Sequence, residues 1–129
     1  MANSATTTVG PKPMYSHSIE VPVGHRLLVI SGQLGIDENG SIPDDAEALT
    51  ALCLAAIEKL LKKSGLGRSD VLKLNGYVAD RAHLGAYAKV RNDWASSLAI
   101  LPCSTLVVVS GFVRPEFLVE IEAIASKAC

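Results

Sequence analysis

Aromatic residues make up only 5% of this chain and charged residues only 19%. Both absences exclude function classes. A nucleic-acid binder needs a basic surface interleaved with aromatic side chains, but 12 Lys and Arg stand against 13 Asp and Glu, for a net charge of -1. Cysteine is scarce: Cys53, Cys103 and Cys129 are odd in number and widely spaced, which is no disulfide framework and contains no C-x-x-C metal or redox pair. The three histidines, His17, His25 and His83, form no ligand-spaced pair, so no metal is expected. There is no phosphate loop of the G-x-x-x-x-G-K-[ST] type and no G-x-S-x-G elbow, so no cofactor is expected either. No apolar run approaches the ~20 residues that span a bilayer, and the first residues lack the basic and apolar regions of a secretory leader. The expectation is a soluble protein of the cytoplasm, with no membrane or nucleic-acid partner.

Apolar residues are abundant: 49% of 129 residues, with a mean hydropathy of +0.30. The length suits one domain with its own core, and the composition excludes intrinsic disorder. So much apolar surface on so small a chain points to subunit interfaces.

Residues 1–12 are polar and read as a mobile tail closed by Pro11 and Pro13; residues 13–129 form the domain. Ser16 to Val23 is expected as a short first strand. The apolar run Leu27-Leu28-Val29-Ile30 reads as a strand buried on both faces, followed by Ser31-Gly32-Gln33. Asn39-Gly40 marks a turn. Asp44 or Asp45 caps a helix whose apolar stripe runs through Ala46, Leu49, Leu52, Cys53, Ala56, Ile57, Leu60 and Leu61, ending at Gly65 or Gly67. Val71 to Val78 reads as a strand with a bulge at Gly76. Asp80 caps a second helix with Leu84, Tyr87, Val90, Trp94 and Leu98 on one face. Arg91, between these apolar positions, is expected to face solvent, although from there it could reach a carboxylate ligand. Leu106 to Val109 reads as another doubly buried strand. In the closing strand, Phe117 to Ala125, Val119 and Ile121 share one face and Glu120, Glu122 and Ile124 the other. The order β-β-α-β-α-β-β gives a two-layer α+β domain, with two helices on a mixed sheet. The sheet face away from the helices still carries apolar residues, and a homo-oligomer is the economical cover.

The paired glutamates are the main chemical signal. A carboxylate among Leu118, Val119, Ile121, Ala123 and Ile124 lies at a wet edge or in a pocket, and in a pocket it is suited to acid–base work.

Several segments together resemble the Rid family (reactive intermediate deaminase, or YjgF, family). Met14-Tyr15-Ser16-His17-Ser18 resembles its P-Y-S-x-A opening, and Val29-Ile30-Ser31-Gly32-Gln33 its V-S-G-Q strand end. Asp70-Val71-Leu72-Lys73 with Val78-Ala79-Asp80 resembles its D-V-V-K…L-T-D segment. Val119-Glu120-Ile121-Glu122-Ala123-Ile124-Ala125 is nearly its closing V-E-I-E-A-I-A. The likeness covers about residues 13–125. It implies a chorismate-mutase-like α+β fold and a homotrimer with clefts between subunits, in which imines and enamines are hydrolysed to keto acids and ammonia. It further implies Glu120 as the residue that orients water, with Tyr15, Ser31 and Gly32 lining the cleft. One departure is clear. Pro102-Cys103-Ser104-Thr105 stands where the family has P-A-R-S, so Ser104 replaces the arginine that clamps a substrate carboxylate, and Leu106 replaces the following Cys. Ser104 and Thr105 are then expected to hold the substrate's polar group, with Arg91 or Arg114 as replacement cations. A Rid-like hydrolase of a small imine or enamine is the leading expectation. A metabolite-binding trimer without turnover is the alternative, and an endoribonuclease a minor one.

Overall fold

The computed structural model describes residues 14–129. The tail expected over residues 1–12 lies outside them. Strand β1 (His25–Leu34) leads to helix α1 (Ala46–Lys63), β2 (Val71–Val78), helix α2 (Leu84–Ala95), β3 (Cys103–Val108) and β4 (Val119–Ala128). The four strands form one sheet in the order β1-β4-β2-β3. β4 is antiparallel to both of its neighbours, whereas β2 and β3 are parallel and joined through α2. Both helices pack on one face of this mixed sheet, as the pattern of elements predicted.

Local chemistry accounts for these boundaries. Asp45 is the cap of α1, accepting from the backbone N–H of Glu47 and Ala48. The helix ends at Gly65, whose φ of +80° only glycine adopts freely, with Leu66 N–H bonded back to Leu61 O at 2.8 Å. Its buried stripe of Leu49, Cys53, Leu54, Ile57 and Leu61 meets Val119, Ile121, Ala123 and Ala125, the inward set of β4. Asp80 caps a short turn, Arg81–His83, rather than α2 itself.

Four expectations are corrected. Ser16 to Val23 is no strand; only Ser16 makes a bridge, to Cys103 at the start of β3, and Pro22 offers no N–H for further pairing. Gly76 is not a bulge. It is held small by the Tyr87 ring, which fills the space a Cβ would need. The sheet's irregularities lie instead between Val71 and Lys73 and between Ile30 and Gln33. The apolar runs of β1 and β3 are not buried on both faces: Leu27 is 59% exposed and Val29 73%, and β3 is an edge strand with Val107 and Val108 open. Hydrophobicity is not burial here: in the single chain it marks an uncovered sheet face. Finally, Arg91 does not face solvent. The buried stripe of α2 is Tyr87, Arg91, Trp94 and Ala95, because the gap between residues 87 and 94 is bridged by an i+4 step through 91 rather than by Val90.

Candidate active site

Alternation along β4 puts Glu120 and Glu122 on the open face of the sheet, away from the helices. Their surroundings differ. Across the ladder, Glu122 pairs with Asn75 and Glu120 with Tyr77. Glu122 Oε1 accepts from the Tyr77 hydroxyl at 2.5 Å and from Asn75 Nδ2 at 3.2 Å. Donation to Glu122 first, then burial and the charges of both glutamates, holds the Tyr77 phenol above its ordinary range. Glu122 is thus committed to two donors.

Glu120 is the uncommitted carboxylate. Among the described residues no donor is bonded to it and no cation pairs with it. It lies against Gly32, where a Cβ would overlap its Oε2. The bulge makes this contact. Ile30 pairs with Ala123 and Gln33 with Ile121, so Ser31 and Gly32 together oppose one residue of β4. Ser31 is exposed, and its carbonyl accepts from Gln33 Nε2 at 3.0 Å. Glu120 and Gly32 are therefore in contact across the bulge, with Ser31 next to Gly32 in the chain. The charge of Glu120 also reaches the core. The Cys53 thiol is pushed up to about 12, by burial first and by Glu120 next.

The other candidates lie at the far edge. Tyr15 is 37% exposed and stands edge-on to His17, ring centroids 5.4 Å apart. The next residue, Ser16, is tied to the start of β3, its N–H donating to Pro102 O at 3.1 Å and its hydroxyl to Leu101 O at 2.5 Å. Ser104 and Thr105 do not share a face. Ser104 pairs with fully buried Leu74 and faces the helices, while Thr105 pairs with Asn75 and faces outward. Because β2 intervenes between β3 and β4, a single chain does not unite Ser104 with Glu120. Arg114 is engaged elsewhere: it donates to Glu116 at 2.5 Å, lies over the Phe117 ring, and through that bond lowers the Glu116 carboxyl. Sequence reasoning missed Asn75 and Tyr77. The alternation of β2 carried the signal, since both share a face opposite Leu74 and Val78.

The fold and this carboxylate notch define a class: a two-layer α+β domain with a carboxylate on a sheet face left open by its own helices. The sequence matches the model of the endoribonuclease L-PSP family over residues 6–127. It is 31% identical over 93 residues to the RutC family protein YoaB of Escherichia coli, covering 71% of this chain and 77% of YoaB. Among solved structures it resembles the Rid family protein YyfB from Yersinia pestis, a protein of unknown function (30% identity, TM-score 0.76, 87% of this chain and 86% of that one). It also resembles Rv2704 of Mycobacterium tuberculosis, a YjgF/YER057c/UK114 family member (30% identity, TM-score 0.68, 77% of each chain). The chain belongs to this family, known as YjgF or Rid.

Proposed function

We propose that the protein hydrolyses the C=N bond of a small imine, or of an enamine through its imine tautomer, in clefts completed between the subunits of a homotrimer. The observation that carries this reading is the asymmetry of the glutamate pair: among the described residues Glu122 holds two donors and Glu120 none. In the proposed reaction Glu120 takes a proton from water as the water oxygen adds to the imine carbon. The carbon–nitrogen π pair goes to nitrogen, which is protonated. The resulting carbinolamine loses ammonia, with its hydroxyl proton removed, and leaves a carbonyl. General-base assistance of this kind is worth about 10²–10⁴ in rate. No metal or cofactor is needed.

The trimer part rests on two features. Leu27 and Val29 are exposed on the apolar open face, and the two groups of candidates sit at opposite edges of the sheet, where they can meet only across a subunit contact. The net charge of -1 speaks against an RNA substrate.

The test is semicarbazide trapping of imines generated in situ by an amino-acid oxidase, with wild type and Glu120→Gln. Accelerated imine decay that the variant loses is the expected result. If neither protein accelerates decay of acidic, basic or apolar imines, hydrolysis is wrong and the trimer is a metabolite-binding protein. That second reading draws on the serine at position 104.

A further inference from the structure

Helices α1 and α2 pack side by side, and the groove between them is not closed. Ala51, Leu54, Ala55 and Glu58 follow one another at i, i+3, i+4 and i+7 along α1, and Val90, Asp93 and Trp94 at i, i+3 and i+4 along α2, so each set forms one stripe. Between the stripes, bordered by Arg68 from the turn Arg68–Asp70 ahead of β2, is a cavity of about 350 Å³. Leu54 and Trp94 are its buried floor, and exposed Ala51, Ala55 and Asp93 are its rim. Two alanines on the α1 side leave the space that larger side chains would close. The cavity is on the helix layer, away from Glu120 and the open face of the sheet.

One cation already sits at this cavity. The Arg68 guanidinium lies over the Trp94 ring, 5.1 Å from its centroid. It forms an ion pair with Glu58 and donates from Nη1 to the Trp94 carbonyl at 3.0 Å. Glu58 Oε1 also accepts from Trp94 Nε1 at 2.6 Å, which fixes the ring that the guanidinium covers. An aromatic face, a carboxylate and a carbonyl at a helix C-terminus are all groups that attract a nitrogen cation. The opposite wall offers a second carboxylate. Among the described residues Asp93 makes no ion pair, and Lys89, one turn earlier on α2, is held by Glu47 at 3.2 Å instead. With Arg68 neutralised by Glu58, the cavity keeps one uncompensated negative charge beside an apolar floor.

We propose that this interhelical cavity binds a small organic cation, a protonated amine carrying a compact apolar body. The ammonium pairs with Asp93, and the body rests on Ala51, Ala55 and Val90 against Trp94. The apolar floor disfavours a hydrated metal ion, and the charge of the lining disfavours an anion. Arg68 limits the affinity, because it occupies the ring face and Glu58 and repels a second cation. The site is independent of the glutamate notch and of the subunit contacts proposed for the open face.

Trp94 is the single tryptophan of the chain, so its fluorescence reports on this cavity directly. Cyclohexylammonium, its neutral counterpart cyclohexanol and its anionic counterpart cyclohexanecarboxylate are titrated into the protein at constant ionic strength. The expected result is a saturable change in Trp94 emission with cyclohexylammonium, binding about tenfold weaker for cyclohexanol, and no response to the carboxylate. Asp93→Asn, a conservative change at an exposed position, is expected to weaken the cation about three- to fivefold, the scale of one exposed ion pair. Ala55→Leu, also exposed, fills the cavity and is expected to abolish the response. Arg68→Gln removes the competing charge and frees Glu58, so it is expected to tighten binding about threefold. The proposal is overturned if wild type gives no saturable response, if the ring amine and the ring alcohol bind equally, or if Asp93→Asn and Ala55→Leu both bind as wild type does. Weaker or unchanged binding in Arg68→Gln overturns it too.

Discussion

The carboxylate of Glu120 occupies the space that a side chain on Gly32 would fill. The contact joins β4 to the bulge of β1, and it turns a flexible carboxylate into one with a defined position. The obstacle is the far end of a movable side chain, so Gly32→Ala should displace Glu120 rather than break the fold. Stability within about 1 kcal/mol of wild type is expected, with imine turnover reduced at least tenfold. Urea melts and the trapping assay measure the two separately. A large stability loss with turnover intact would contradict the assignment.

Gly76 makes a less yielding contact of the same kind, because its neighbour is the ring of Tyr87 locked in the core. Gly76→Ala should cost about 1–3 kcal/mol through overpacking. Adding Tyr87→Leu should return part of that loss, and a double-mutant cycle in urea gives the coupling directly.

Alkaline stability follows from the core thiol. Cys53 titrates at 9.0 when unperturbed and is pushed up to about 12 in the fold. Between those values the unfolded chain has lost its proton and the folded chain has kept it. The contribution is full below pH 9 and is lost as pH rises toward 12, at no more than about 1.4 kcal/mol per pH unit. Tyr87 adds a similar loss above pH 10. Cys53→Ala, melted from pH 8 to 11, should show a shallower decline than wild type. Parallel declines would mean that the thiol titrates normally.

The proposed trimer makes its own prediction. Val29 is 73% exposed on the open face, opposite Ile124. Val29→Lys should place a charge where subunits meet and convert trimers to 13.6 kDa monomers by light scattering. A wild type that is already monomeric, or a variant that stays trimeric, would remove this face from the interface.

Much of the fold was legible because its signals are local. The alternation Val71 to Val78 matched β2 residue for residue, and the i, i+3, i+4 stripe after Asp45 marked α1. The failures have a common cause. Leu27 to Ile30 and Leu106 to Val109 are as apolar as a buried strand, but sequence does not say whether another chain provides the cover. The site was half legible for the same reason. Both glutamates stood out on one face of β4, yet which one is free depends on Asn75 and Tyr77, more than forty residues away along the chain. Arg91 was misplaced because a 3.6-residue period allows either 90 or 91 in the stripe, and charge alone favoured the wrong choice.

The strand order bears on how the molecule comes into being. β4 lies between β1 and β2, so the last of the four strands in chain order occupies an interior place in the sheet. During synthesis β1 waits, unpaired and largely apolar, through about a hundred residues of translation before its partner leaves the ribosome. Contacts that close so large a loop form slowly. The nascent chain therefore carries an exposed strand edge until β4 has been made, and chaperones have their chance to act before that strand completes the sheet.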